Sequence, residues 1–328
     1  MKWLTSLEIC AGGGGTAVGT EQAGFHHVGL VEVDSDACRT LRMNHPDWNV
    51  IETDVRNFEA SAFEGVDLLS GGVPCPPFSM AGLRLGRDDD RDLFPHALRI
   101  IGESRPRAVL LENVRGLLEA KFADYRAWID ERLSAMGYVP EWRLLNARDF
   151  GVPQLRPRAV CVGLRPEDFE HFSWPSPLAD SPLTVGEALL DEMGSRGWSG
   201  AVEWASRAKR IAPTLVGGSK RHGGPDLGPT RARAQWAELG VNGKTIAETP
   251  PDPDHQGMPR LTVKMAARLQ GFPPEWTFTG GKTAAYRQVG NAFPPPVAQA
   301  VAFAIRRAIE ATEATSHDPH AVGVLSAS

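Results

Sequence analysis

Cys75 stands in the stretch GGVPCPPFS (71–79), between prolines and directly behind two glycines. A cysteine kept for packing normally sits on a helix or strand, where it behaves as a small hydrophobe. Here Gly71, Gly72, Pro74, Pro76 and Pro77 forbid regular structure, and proline's fixed φ makes the segment a stiff loop. The apolar run VDLL (66–69) just ahead reads as a buried strand, so the loop presents a thiol at a strand end. Such a thiol is either a nucleophile or an inert residue, and this stretch alone leaves both readings open.

A second constellation lies near the N-terminus. LEICAGGGGTAVG places Gly12, Gly13, Gly14 and Gly15 after a first strand and before a helix, where glycines let the backbone approach a ligand closely. Glu32, at the end of GLVEV (29–33), stands at the right remove to hold a ribose diol. Together they imply an adenosine-containing cofactor, and NAD satisfies the same grammar. Asp54, in IETDV (51–55), is either an acceptor for an adenine amino group or an ordinary cap or turn residue.

These residues need a scaffold, and the chain supplies an alternating one. WLTSLEI (3–9), HVGLVEV (27–33), VDLLS (66–70), RAVLLE (107–112) and AVCVGL (159–164) read as strands. Helical stretches fall between them at 17–23, 35–44, 92–103 and 121–136. Such alternation predicts an α/β fold with a doubly wound, parallel sheet. From about 171 to 257 the chain is rich in Gly, Pro, Trp and charge with little periodicity, which predicts a second, smaller, irregular domain. Helical spacing returns in TVKMAARLQGF (262–272) and PVAQAVAFAIRRAIEA (296–311), and 312–328 reads as a disordered tail.

The totals narrow the class. The 328 residues are 42% hydrophobic and 23% charged, an ordinary globular composition. The four cysteines, 10, 38, 75 and 161, show no metal-ligand spacing and no disulfide framework. No apolar run approaches a membrane span, and glycines interrupt the N-terminus before a signal-peptide core could form, so a cytoplasmic protein is expected. The net charge of −5 argues against a general polyanion binder. Yet between positions 204 and 235 seven basic residues (Arg207, Lys209, Arg210, Lys220, Arg221, Arg231, Arg233) face one acid, Asp226. That cluster is either a seat for a phosphate backbone or a solvated surface.

Taken together, the glycine loop, PCPPFS (74–79) and LLENVRG (110–116) resemble the DNA (cytosine-5)-methyltransferase family of bacterial restriction–modification type. The resemblance continues in order through QLRPR (154–158), RLTVKMAARLQGFP (260–273) and YRQVGNAFPPPVA (286–298). It spans nearly everything but the irregular region and the tail, and six motifs in family order are far more specific than any one. The resemblance implies a Rossmann-like S-adenosylmethionine-dependent fold and S-adenosyl-L-methionine, not NAD, as cofactor, with no metal. Around that cofactor it points to Cys10, Ala11, Gly12, Gly14, Gly15, Glu32, Val33, Asp54, Val55, Pro74, Leu93 and Asn291. It divides the chain into a catalytic domain (1–170), a target-recognition domain (171–257) and a C-terminal segment (258–311) that returns to the first. The chain departs from the family at Cys10, where Phe is usual, at Pro76, where Gln is frequent, and at Lys264 and Met265, where Arg and Glu are common.

The residues suit the implied reaction. Carbon-5 of cytosine is a poor nucleophile, and adding a thiolate, Cys75, at carbon-6 turns the ring into an enamine that can attack a methyl sulfonium. Glu112 is expected to give or share a proton with N3, if burial raises its pKa. Asn113 is expected to brace the Cys75 loop, and Arg158 and Arg156 to hold the O2 edge and the adjoining phosphate. No residue stands out as the base that removes the carbon-5 proton. The target base must leave the duplex, and SMAGLRLGRDDDR (79–91) is the natural loop to close over it.

The expected partner is double-stranded DNA, touched by Ser79, Arg91, Gln154, Lys220, Arg221, Arg231 and Arg233, with Arg231 and Arg233 either reading guanine or contacting phosphate. A monomer associated with the nucleoid is expected, either beside a restriction endonuclease encoded nearby or as a solitary modifier. Two rivals are an RNA-directed relative acting on tRNA and a catalytically dead homologue. The long middle region with its basic cluster opposes the first. The intact Pro-Cys and Glu-Asn-Val pieces oppose the second.

Overall fold

The computed structural model describes residues 3–74, 92–218 and 224–316. Seven strands, β1 (Leu4–Ile9), β2 (Phe25–Glu32), β3 (Val50–Glu52), β4 (Leu68–Gly72), β5 (Ala108–Val114), β6 (Val139–Asn146) and β7 (Pro157–Leu164), form one sheet in the order β3-β2-β1-β4-β5-β7-β6. The first five run parallel, and β7 lies antiparallel between β5 and β6. The sheet is therefore mixed rather than all parallel. A parallel return needs a long crossover, usually a helix, but β6 reaches β7 through only a short 3-10 turn, Ala147–Phe150, and a bend. β6 itself (VPEWRLLN) is absent from the sequence reading because, as an edge strand with only Leu145 buried, it carries no apolar run.

Helices α1 (Gly15–Gln22) and α2 (Ser35–Asn44) follow β1 and β2, and α3 (Phe94–Ser104) and α4 (Ala123–Ala135) flank β5 in sequence. The single turn α5 (Pro166–Phe169) follows β7. Phe94, Ile101, Ile129 and Leu133 bury one face of the sheet against Ile9, Leu69, Val109 and Leu111. The opposite face packs Leu4, Phe25, Leu68 and Leu110 against Val297, Val301, Ile305 and Ile309 of the last helix. The last helix thus packs into the core of the first half.

The middle region is less irregular than its composition suggests. It contains α6 (Val185–Gly194), α7 (Ala201–Arg207) and α8 (Thr230–Glu238), followed by α9 (Val263–Leu269), α10 (Lys282–Asn291) and α11 (Pro295–Ser316). The start of α6 is legible in TVGE (184–187). The Glu187 N–H donates to Thr184 Oγ1, and the Thr184 N–H donates back to Glu187 Oε2 at 2.8 Å, a reciprocal cap. Trp204, Trp236, Leu189 and Met193 share one core with Leu261, Met265, Tyr286 and Val289, and that core reaches Leu30 and Leu41 in the sheet half. Residues 185–246 therefore do not carry a core of their own. Helix α11 also continues to Ser316, past the expected start of the tail, where Glu313 pairs with Arg107 at 2.7 Å.

Candidate active site

The strand order reverses between β1 and β4, and loops leaving the carboxyl ends of neighbouring strands open a crevice there. It holds a cavity of about 310 Å³. One wall is the loop after β1, where Cys10, Ala11, Gly12, Gly13, Gly15 and Thr16 face it. Glu32, Val33 and Asp34 after β2, and Thr53 to Arg56 after β3, form a second. Gly72 and Pro74 after β4, Leu93 ahead of α3, and Glu112 on β5 form a third, and Arg287, Gln288, Asn291, Ala292 and Phe293 close the space.

Nearly all the expected cofactor residues meet here. Gly14 does not: it caps α1 with φ of 90° and turns toward Trp276 and Leu41, so it shapes the loop from behind. Glu32 is held by three backbone donors. Its Oε2 accepts from Gly12 N–H at 2.7 Å, and its Oε1 accepts from Val33 and Asp34 N–H at 2.8 and 2.7 Å. Asp54 accepts from its own turn, the Arg56 N–H at 2.9 Å, while also lining the cavity, so both readings of it describe its position. Cys10 takes φ of 53°, an uncommon conformation for a side-chain-bearing residue, and burial beside Glu32 pushes its thiol pKa up. It is the less reactive kind of cysteine.

Sequence reasoning overlooked the rim. Arg287 of α10 pairs with Asp34 at 3.2 Å, joining the C-terminal segment to the loop after β2. Arg287 lies inside the quoted YRQVGN motif, which is the signal that could have found it.

At the opposite end, Glu112 stands in register with Gly72. A Cβ on Gly72 would lie 3.2 Å from Glu112 Oε2, so glycine leaves room for the carboxylate. Arg158 Nε donates to Glu112 Oε1 at 2.7 Å, with both side chains nearly buried. Burial raises the Glu112 pKa, and the guanidinium groups of Arg158 and Arg156 act against that rise. Asn113 donates to the Val73 carbonyl at 2.8 Å and accepts from Val114 N–H, bracing the end of β4 two residues ahead of Cys75. Cys75, Ser79, Arg91, Lys220 and Arg221 lie outside the described residues.

Two expected contact residues are turned inward. Arg156 is fully buried and donates to the carbonyls of Leu215, Gly290 and Ala292 at 2.7, 2.7 and 2.9 Å. Gln154, also fully buried, donates to Leu269 O and Gln270 Oε1 and accepts from Leu215 N–H. Both side chains are thus held by backbone and side-chain groups of the protein and stand out of solvent. Arg231 is exposed on α8, and Arg233 lines a groove of about 330 Å³ with Val216, Gly218 and Asp226. The basic cluster is less bare than its residue count. Arg207 pairs with Glu203 and Arg210 with Glu238, acids lying just beyond the counted stretch.

No group of three or more His, Cys, Asp or Glu able to hold a metal occurs among the described residues, and no described helix is long and apolar enough to cross a membrane.

Residues 4–307 match the family described as C-5 cytosine-specific DNA methylase. The chain is 52% identical over 314 residues to the type II methyltransferase M.NgoMIV of Neisseria gonorrhoeae, covering 94% of this chain and 98% of that one. It is 54% identical over 315 residues to the type II methyltransferase M.NaeI of Lentzea aerocolonigenes, covering 94% and 76%. Among solved structures, a DNMT2 variant of Spodoptera frugiperda superposes with a TM-score of 0.64 at 16% identity, covering 92% of this chain and 99% of that one, a likeness of fold.

Proposed function

Because the chain belongs to the C-5 cytosine-specific DNA methylase family and is a DNA (cytosine-5)-methyltransferase, we propose that it works through a covalent Cys75 adduct at the crevice just described, on one short duplex sequence. The observation that carries this reading is the Glu112–Arg158 pair, 2.7 Å apart, with Glu112 on the cavity wall beside Gly72, which lies three residues before Cys75.

The family's methylation depends on S-adenosylmethionine, and the cavity residues fit that molecule. Glu32, oriented by three N–H donors, keeps lone pairs for a ribose diol, and the side-chain-free loop at Gly12 and Gly13 admits close approach. Asp54 and Val33 suit an adenine edge and face, and Asn291 with the Arg287–Asp34 pair closes the outer side. When bound, the cofactor supplies an electrophilic methyl group on a sulfonium.

The chain's own residues do the rest. The Cys75 thiolate adds to carbon-6 of the flipped cytosine. Glu112, whose pKa burial raises against the pull of Arg158 and Arg156, is the group placed to give a proton to N3 as negative charge builds there. Arg158 steadies the carboxylate that remains and offers further N–H donors to the O2 edge. After transfer, the carbon-5 proton passes to water, the N3 proton returns to Glu112, and elimination releases the thiolate.

The middle region, with Arg231 and Arg233 at its surface, is the proposed reader of the duplex. Identity above 50% to M.NgoMIV and M.NaeI runs over 94% of the chain and so includes that region, which supports a shared target sequence. The same likeness supports a type II role beside a restriction endonuclease.

The test is bisulfite sequencing of plasmid DNA from a methylation-deficient host expressing the chain. Protected cytosines confined to one short motif, the same as in hosts expressing the two relatives, are expected. Cys75→Ser is expected to abolish protection while S-adenosylhomocysteine still binds. Uniform conversion with the unaltered chain, or protection retained by the variant, would overturn the reading.

A further inference from the structure

The guanidinium of Arg156 joins two parts of the molecule that the reaction uses separately. One nitrogen holds the carbonyl of Leu215, on the segment that leads into the proposed recognition residues. The other holds the carbonyls of Gly290 and Ala292, which bracket Asn291, and Asn291 and Ala292 line the cofactor cavity. Gln154 and Gln270 reinforce the junction. Gln154 Oε1 accepts from Leu215 N–H at 2.9 Å, and Gln270 donates to Ala292 O at 2.6 Å.

The two backbones touch as well. A Cβ on Gly290 would fall 2.4 Å from Gly217 N, and one on Gly217 would fall 2.5 Å from both Arg287 O and Asn291 Oδ1. Asn291 also donates from the other side, to Gly218 O at 3.1 Å. No slack separates the segment 215–218 from the end of α10. A shift of Leu215 must either carry the Gly290–Ala292 carbonyls with it or strand buried hydrogen-bonding groups, and the second is costly.

We infer that Arg156 is a positioning residue that couples the two sites: docking of DNA on the recognition segment sets the cofactor wall through Leu215, Arg156 and Ala292. This inference rests on the reading of the middle region as the DNA reader. Linkage makes the coupling reciprocal, so bound cofactor also strengthens DNA binding by the same factor.

The experiment measures S-adenosylhomocysteine affinity of the full chain by calorimetry, without and with a saturating duplex carrying the methylated motif. The unaltered protein should bind at least about fivefold tighter with duplex. In Arg156→Lys a compact ammonium cannot span three carbonyls, and the ratio should fall below about twofold while the variant stays folded by circular dichroism. Gly217→Ala, which wedges the segment from α10 with Arg156 intact, should lower the ratio likewise and decides the matter if Arg156→Lys does not fold. A ratio near one in the unaltered protein, or a wild-type ratio in either folded variant, would overturn the coupling. If bisulfite protection is present and the ratio is unmoved, only this inference falls. If no DNA is methylated, the functional reading falls and takes it along.

Discussion

Glu112 carries opposing demands in one carboxyl group. Burial favours its neutral form, and the guanidinium of Arg158 at 2.7 Å favours the charged one. Such a balance suits the proton exchange with a ring nitrogen proposed above. Glu112→Gln should therefore lower the single-turnover rate of methyl transfer by about two orders of magnitude or more, with S-adenosylhomocysteine and duplex affinities changed only modestly. The pH profile gives a second check. In the proposed mechanism the proton is needed on Glu112, so the rate should fall as pH rises through its raised pKa, and this alkaline limb should vanish in the glutamine variant. A limb unchanged in Glu112→Gln would assign it to another group.

At the scale of elements, the C-terminal helix is tied down at its far end by a small charged network. Arg107, one residue before β5, donates twice to Asp168 at 2.7 Å and once to Glu313 of α11 at 2.7 Å. The Asp168 side chain is wholly buried, whereas that of Glu313 is one-third exposed. Removing the buried partner leaves Arg107 poorly compensated, so Asp168→Ala should cost about 3 kcal/mol of unfolding free energy in urea titration. Glu313→Ala should cost about 1 kcal/mol or less, because water replaces the exposed carboxylate. Equal losses would mean that both bonds are equally solvated.

For the molecule as a whole, stability should weaken below neutrality for a specific reason. His27 lies on β2, its buried ring paired through Nδ1 with Ser6 Oγ of β1 and donating from Nε2–H to Ala17 O of α1. Burial pulls its pKa down to about 4, against the smaller raising effect of the Ala17 carbonyl. The depressed value means that the unfolded chain takes up the proton first. The stability His27 contributes is complete above about pH 6.5, falls as pH drops, and is lost below about 4. Between pH 7 and pH 5 the loss should be about 2 kcal/mol. Urea titrations at the two values, with His27→Gln as the comparison, should show the extra slope only in the unaltered chain.

Much of this protein is written locally. The glycine loop, the proline-bound Cys75 and the buried runs that became β1, β2, β4, β5 and β7 are legible because backbone freedom and apolar burial depend on neighbours in sequence. Glu112 and Asn113 are legible for the same reason, at the end of an apolar strand. Edge strand β6 is not, since a strand half in water needs few apolar residues. The short helices of the middle region bury their faces against α9 and α10, partners that no window of local sequence contains. The two arginines of QLRPR divide the case most sharply. They are alike in type and two positions apart, yet Arg158 enters β7 and meets Glu112, while Arg156 precedes the strand and turns to the carbonyls of Leu215, Gly290 and Ala292. An arginine's role is set by the acceptors around it, and the carbonyl acceptors of Arg156 come from 59 to 136 positions away in the chain. Sequence determined that two charged forks stand two positions apart; only the tertiary structure decided which of them meets Glu112.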